Sequence, residues 1–295
     1  MGFFIKSVEV PTSLNLPYIE QGDPLGVPVL LVHGFADSWR SFTRVLPLLP
    51  KSIRAFALTQ RGHGDASRPA TGYHFQDFAA DLAMFMDALH LEAAVIVGDS
   101  MGGMVAQRFA IGHPDRILGL MLIGSPATLR DKPRVRELWD STISLLTDPI
   151  DPVFVRDFVE STLARPVPPK FIETMVQESL KVLAFVWKKM FESFLEEDFS
   201  KELNAIKAPT LIIWGDQDTF TRSDKDTLTA AIAGSRLIVY PGAGHALCWE
   251  EPDHIATDLT DFIKDISHIL EMPFRQTGTT NAEVGAIHRG IPPLT

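Results

Sequence analysis

The stretch Ala93-Ala94-Val95-Ile96-Val97-Gly98-Asp99-Ser100-Met101-Gly102 decides how this chain is read. Residues 93–97 form a short apolar run of the kind that becomes a buried strand, and Met104–Ala110 opens a helix-like segment. Between them stands a serine with a glycine two positions away on either side. A strand–turn–helix junction of this kind forces its central residue into strained backbone angles and lifts the hydroxyl clear of the chain. Larger side chains at the flanking positions would collide, which explains Gly98 and Gly102. Ser100 is therefore a candidate nucleophile.

On either side of this junction the sequence alternates strands with helices. Residues 3–10 and 15–21 read as two leading strands, followed by Val29–Val32 and Ile53–Leu58. Phe75, Phe78, Ala79, Leu82, Phe85, Met86 and Leu89 recur at three- and four-residue steps and mark one buried helix face. Further strands are expected at 119–123, 210–214 and 236–240. Fully apolar strands separated by amphipathic helices predict an α/β fold, a mostly parallel twisted sheet covered on both faces. The rhythm breaks at 127–205, where only helical stretches occur: Arg134–Leu146, Val153–Leu163 and Phe171–Phe194. That segment reads as a helical insertion over the carboxyl ends of the strands, where open α/β sheets bind ligands. Residues 1–126 and 206–272 then make the core, and 273–295, rich in Gly, Thr and Pro, read as a loose tail.

Composition excludes several classes. The chain has 295 residues, 45% of them hydrophobic and 22% charged, enough for a packed core and against wholesale disorder. A net charge of -10 argues against nucleic acid or an anionic membrane as partner. One cysteine rules out an internal disulfide framework and fits a reducing compartment. The N-terminus lacks the basic start and long apolar core of a signal peptide, and Lys6 stands where a myristoylation signal needs Ser or Thr. No apolar run approaches the ~20 residues that span a bilayer. A cytoplasmic location is the expectation. No metal-ligand cluster and no glycine-rich nucleotide loop after the first strand is present, so no cofactor and no metal are expected.

A serine hydroxyl needs a base, and the base an orienting acid. In a strand-turn arrangement of this type the acid and then the histidine follow the serine in the chain. His245 lies in the small-residue loop Pro241-Gly242-Ala243-Gly244-His245, just past the strand at 236–240. His33 and His63 precede the serine, His113 ends the helix after it, and His254 and His268 lie on an amphipathic C-terminal segment. Gly215-Asp216-Gln217-Asp218 offers two acids beyond the strand at 210–214. Asp218 is preferred, because the chain must turn before a carboxylate can point back to the imidazole; Asp216 is then a turn residue. The backbone N–H groups of Met101 and Phe35 are the expected oxyanion donors, Gly34 allowing the turn that aims the second.

These segments, with Arg61-Gly62-His63-Gly64-Asp65-Ala66-Ser67, resemble the α/β-hydrolase superfamily over roughly residues 15–270. The resemblance implies a helical cap and a serine hydrolase. Its Gly-x-x-Asp pattern falls on Gly215 and Asp218. Two departures stand out: Thr59 where members often carry Asp, and Asp99 where many carry His or Asn. Centring the junction on Asp99 would put Val97 and Met101 at the small-residue positions, so Ser100 keeps the role. Asp99 reads as solvated or hydrogen-bonded, His63 as a structural loop residue, and Cys248 as a buried thiol. Phe185, Trp187, Met190, Phe191 and Phe194 read as packing within the insertion, with Phe35, Trp187 and Phe191 as candidates to touch an apolar substrate. The expected activity is cleavage of a small-molecule carboxylic ester or lactone. Rivals are an acyl-homoserine lactonase, a carbon–carbon bond hydrolase, a perhydrolase and, outside enzymes, a slow-turnover ligand receptor. Oligomeric state is not legible.

Overall fold

The computed structural model describes residues 3–221 and 224–270; the tail expected at 273–295 lies outside them. The chain opens with β1 (Ile5–Val10), β2 (Leu14–Gln21), β3 (Val27–Val32) and β4 (Ile53–Leu58). Helix α1 (Phe75–Ala88), β5 (Ala94–Asp99), α2 (Met101–Gly112) and β6 (Ile117–Ile123) follow. Four helices then succeed one another: α3 (Pro133–Ser141), α4 (Pro152–Glu160), α5 (Pro169–Ser179) and α6 (Ala184–Glu196). The sheet resumes with β7 (Thr210–Gly215), α7 (Asp224–Ala231), β8 (Arg236–Tyr240), α8 (Leu247–Glu250) and α9 (Pro252–Leu270).

Among the described residues the strands form one eight-stranded sheet in the order β1-β2-β4-β3-β5-β6-β7-β8. Only the β1–β2 and β2–β4 pairs are antiparallel. Every residue of β5 and β7 is buried, as central strands covered on both sides require. Helix α1 buries Phe75, Phe78, Ala79, Leu82, Phe85 and Met86, the face its spacing predicted. Helix α9 lies against β6 at Gly119, where a Cβ would come within 3.0 Å of Ile266 and 3.1 Å of Phe262. The sheet is mostly parallel with helices on both faces, as expected.

One expectation needs correction. The apolar run Phe171–Phe194 is two helices, α5 and α6, with a break between Ser179 and Ala184. Long-range contacts make the break. Asp148 Oδ1 accepts the Ala184 N–H at 2.9 Å and so starts α6, while Lys181 Nζ turns aside to Asp65 at 3.0 Å. Neither partner is near in sequence, so periodicity ran through the gap.

The Arg61-Gly62-His63-Gly64 segment is a brace. Arg61 makes a bidentate pair with Asp81 of α1 at 2.6 Å and 2.6 Å and donates to Gly72 O at 2.7 Å. Its side chain is 8% exposed and that of Asp81 4%. Breaking a buried pair leaves an uncompensated charge, which costs far more than the pair contributes. Arg61→Ala is therefore expected to lower unfolding free energy by about 3–5 kcal/mol in urea titration, and adding Asp81→Ala to recover part of that loss. A single-variant loss below about 1 kcal/mol, the range of a surface pair, would contradict this account.

Candidate active site

Five neighbouring strands end level with one another. Val32 of β3 pairs with Gly98, Asp99 of β5 with Ile123, Ile123 of β6 with Ile213, and Gly215 of β7 with Tyr240. The loops that follow β3, β5, β7 and β8 therefore emerge together at the carboxyl edge of the sheet. They carry Phe35, Ser100, Asp218 and His245.

Ser100 sits at φ 52 and ψ -117, a left-handed conformation that non-glycine residues seldom adopt. The turn is held by close backbone packing. A Cβ on Gly98 would lie 2.4 Å from Gly102 O, and one on Gly102 would lie 2.1 Å from Val32 O. Both flanking positions therefore exclude any side chain, as their spacing around the serine predicted.

His245 Nε2 lies 2.8 Å from Ser100 Oγ, and its Nδ1 lies 2.8 Å from Asp218 Oδ2. Asp218 is anchored by Thr221 Oγ1 at 2.7 Å, the Phe220 N–H at 2.8 Å and the Thr221 N–H at 3.3 Å. Asp216 points elsewhere: it is exposed and accepts from the Gly242 N–H at 2.6 Å, a turn contact. The histidine loop is fixed from above and below. The Thr162 carbonyl, just past α4, accepts from the His245 N–H at 2.9 Å. Glu250 in α8 ties the Gly244 N–H and the Ala164 N–H, each at 2.6 Å.

Burial pulls the His245 imidazole towards neutrality, but the charge and hydrogen bond of Asp218, with Asp99 and Asp37 beyond, outweigh it and raise its pKa above the usual 6.5. Burial pushes Asp218 up, but His245 and the donors around the carboxylate bring it below its ordinary value. Each group thus stabilises the charged form of the other. His33 and His63 behave oppositely. Both are fully buried, and burial lowers them, His63 to about 4, so both are neutral and structural. His33 Nε2 accepts the Gln60 N–H at 3.0 Å and its Nδ1 faces Gly34 O at 2.7 Å, which holds the loop after β3 in place.

The Phe35 and Met101 amides donate to no other group among the described residues. Met101 is the first residue of α2, so its N–H also carries the positive end of a helix dipole. A cavity of about 380 Å³ opens onto Ser100 and His245, lined mainly by apolar groups including Leu129, Leu138, Phe158, Phe191, Phe194 and Phe220. Phe35 and Phe191 line it. Trp187 does not. It is fully buried behind Phe35, ring centroids 4.7 Å apart, because its position in α6 faces the insertion's interior. Phe158 and Phe220 escaped the sequence reading, since neither belongs to a motif.

Asp99 is mostly buried: it is 4% exposed, and its Oδ1 has no hydrogen-bond partner among the described residues. The strand end that presents Ser100 outward turns the preceding residue inward. Burial pushes Asp99 up to about 7. Cys248 is a buried thiol, raised by burial, as expected. No metal-binding cluster occurs among the described residues.

The three carboxylates facing His245 predict its titration. By NMR, the His245 midpoint is expected above 6.5 in the native protein, lower in Asp218→Asn, and lower by a smaller amount in Asp99→Asn. A midpoint that neither substitution lowers would overturn the electrostatic account.

Comparison with known proteins agrees with this architecture. The alpha/beta hydrolase fold family profile matches residues 27–252. A Synechocystis protein provisionally named a non-heme chloroperoxidase is 31% identical over 281 residues, covering 90% of this chain and 100% of its own. A monoacylglycerol lipase of Bos taurus is 28% identical over 276 residues, 84% of this chain and 79% of that one. Among solved structures, a thermophilic esterase from Thermogutta terrifontis superposes with a TM-score of 0.79 at 25% identity, covering 89% of this chain and 99% of that one. With the fold, the strand-end serine and these relatives in agreement, the chain belongs to the alpha/beta hydrolase fold family.

Proposed function

We propose that this hydrolase cleaves a small-molecule carboxylic ester or lactone through a covalent acyl-serine intermediate. The observation that carries the reading is the continuous contact of Ser100 Oγ, His245 and Asp218, each step 2.8 Å. Ser100 attacks the carbonyl carbon while His245 Nε2 takes the hydroxyl proton. Asp218 keeps the opposite ring nitrogen protonated and steadies the imidazolium that forms. The Phe35 and Met101 N–H groups receive the oxyanion, aided by the α2 dipole. His245 then gives its proton to the leaving alcohol, and water releases the acid.

Residues 127–205 act as a cap in this reading, with α6 supplying Phe191 and Phe194 to the apolar cavity. That lining favours a substrate with an apolar acyl or ring portion over a sugar or a nucleotide. The net charge of -10 also disfavours nucleic acid. A reducing compartment such as the cytoplasm suits a chain with one cysteine. No described helix is long and apolar enough to cross a membrane. The names of relatives point to esterases and lipases as well as haloperoxidases, and the apolar cavity favours the ester reading among them.

Ser100→Ala is expected to lower turnover of p-nitrophenyl butyrate by roughly 10⁶-fold, because triad members act as a unit. Asp218→Asn should lower it by about 10⁴-fold through the wrong imidazole tautomer. A fluorophosphonate should label the native protein at Ser100 alone, read by peptide mass spectrometry. Ester hydrolysis that survives Ser100→Ala would sink the proposal.

A further inference from the structure

The cavity at Ser100 is mainly apolar, yet the charge on its wall is of one sign only. Lys132 and Arg134, where the chain enters α3, line it beside Leu129 and Val135, and no described lining residue is Asp or Glu. In a chain with 37 acidic and 27 basic residues, this reverses the overall balance locally. The two cations differ in what they already hold. Lys132 Nζ lies 3.0 Å from Asp224 Oδ1 and 3.1 Å from Asp131 Oδ1, so its charge is cancelled within the protein. Arg134 has no ion pair, hydrogen bond or ring contact among the described residues. It is exposed, which places it where the cavity meets solvent.

The paired lysine holds the unpaired arginine in place. Asp224 is 2% exposed and also accepts from the Ala127 backbone, so it ties the start of the helical insertion to α7 of the core. Arg134, two residues beyond Lys132, is thereby kept at the cavity mouth. A mostly apolar pocket takes its orientation and selectivity from a few placed polar groups. The guanidinium fork matches the two oxygens of a carboxylate. One uncancelled positive charge calls for one negative charge; a dianionic phosphate would leave a charge unmatched in a protein already at -10. The apolar wall offers few partners to a polar linker, which would lose its hydrogen bonds to water there.

We propose that Arg134 selects an ester whose apolar portion ends in a carboxylate, the reacting carbonyl lying at Ser100 and the carboxylate at the guanidinium. The inference rests on the acyl-serine reading above and adds the substrate class. Arg134 touches only the remote end of the substrate, so its attraction is the same before and during acylation. It therefore acts on kcat/KM and leaves kcat unchanged.

Matched pairs of esters at neutral pH test this. The p-nitrophenyl half-esters of adipic and suberic acids are compared with p-nitrophenyl hexanoate and octanoate by nitrophenol release. The butyrate ester of ω-hydroxyhexanoate is compared with hexyl butyrate by pH-stat, which puts the carboxylate on the alcohol side instead. In one of the two series the carboxylate member should show kcat/KM about fivefold above its neutral twin, the upper range for one exposed ion pair. Its kcat should stay within about twofold of the twin's, and added salt should erode the preference. Arg134→Gln should abolish the preference and Arg134→Glu invert it, each hydrolysing the neutral twin within about twofold of native. Arg136→Gln makes the same charge change on the same helix but outside the cavity lining, and should keep the preference. No preference for the carboxylate member in either series would overturn the assignment. So would a preference that survives Arg134→Gln, or one that Arg136→Gln removes equally. A native protein that hydrolyses neither member of any pair would remove the acyl-serine reading and this inference with it, a failure distinct from brisk hydrolysis of both members without preference.

Discussion

The site depends on how closely α2 can begin beside β3. Gly102 lets its backbone sit where any Cβ would lie 2.1 Å from Val32 O, and Gly98 gives way on the other side of the same turn. That approach over-determines the backbone of Ser100, so a φ of 52 persists although it costs on the order of 1–3 kcal/mol by itself. The strain has a geometric result: the hydroxyl projects beyond the edge of the sheet. The first amide of α2 stays close by, with no acceptor among the described residues. One packing contact therefore positions both the candidate nucleophile and a candidate oxyanion donor.

Charge at the site is arranged in layers. Asp218 is surrounded by donors and kept ionised, while Asp99 and Asp37 are buried with few partners and pushed upward, Asp37 partly by Asp99 itself. All three act in the same direction on His245. The contrast shows how environment divides chemically identical side chains. A carboxylate with three good donors remains a fixed charge, whereas one without them becomes a group that titrates near neutrality.

The helices between β6 and β7 are joined to the sheet through aromatic contacts rather than through hydrogen-bonded strands. Phe35 meets Trp187 at 4.7 Å, Phe191 and Phe194 at 5.6 Å, and Phe158 at 6.0 Å, all edge to face. Pairs of this kind contribute about 0.5–1.5 kcal/mol each beyond their buried area. A polar tie joins the same two regions at Thr162, whose carbonyl holds the His245 loop. The segment that walls the apolar cavity thus also orients the imidazole, and changes in one reach the other.

Much of this was legible in the chain itself. Apolar runs such as Val29–Val32 and Thr210–Trp214, together with the glycines around Ser100, determined the parallel sheet and the serine turn, because strand burial and backbone sterics are local properties written in residue type. The order of Ser100, Asp218 and His245 along the chain was equally visible. Only the tertiary structure decided which of Asp216 and Asp218 faces the imidazole, that α5 and α6 separate, that Trp187 stands behind Phe35, and that Asp99 is buried. Each of these depends on atoms brought together from distant positions: Asp148 on Ala184, Thr162 on His245, α6 on the loop after β3. Periodicity and motif spacing report which way a residue faces within its own element, whereas partners across the fold decide what it meets there.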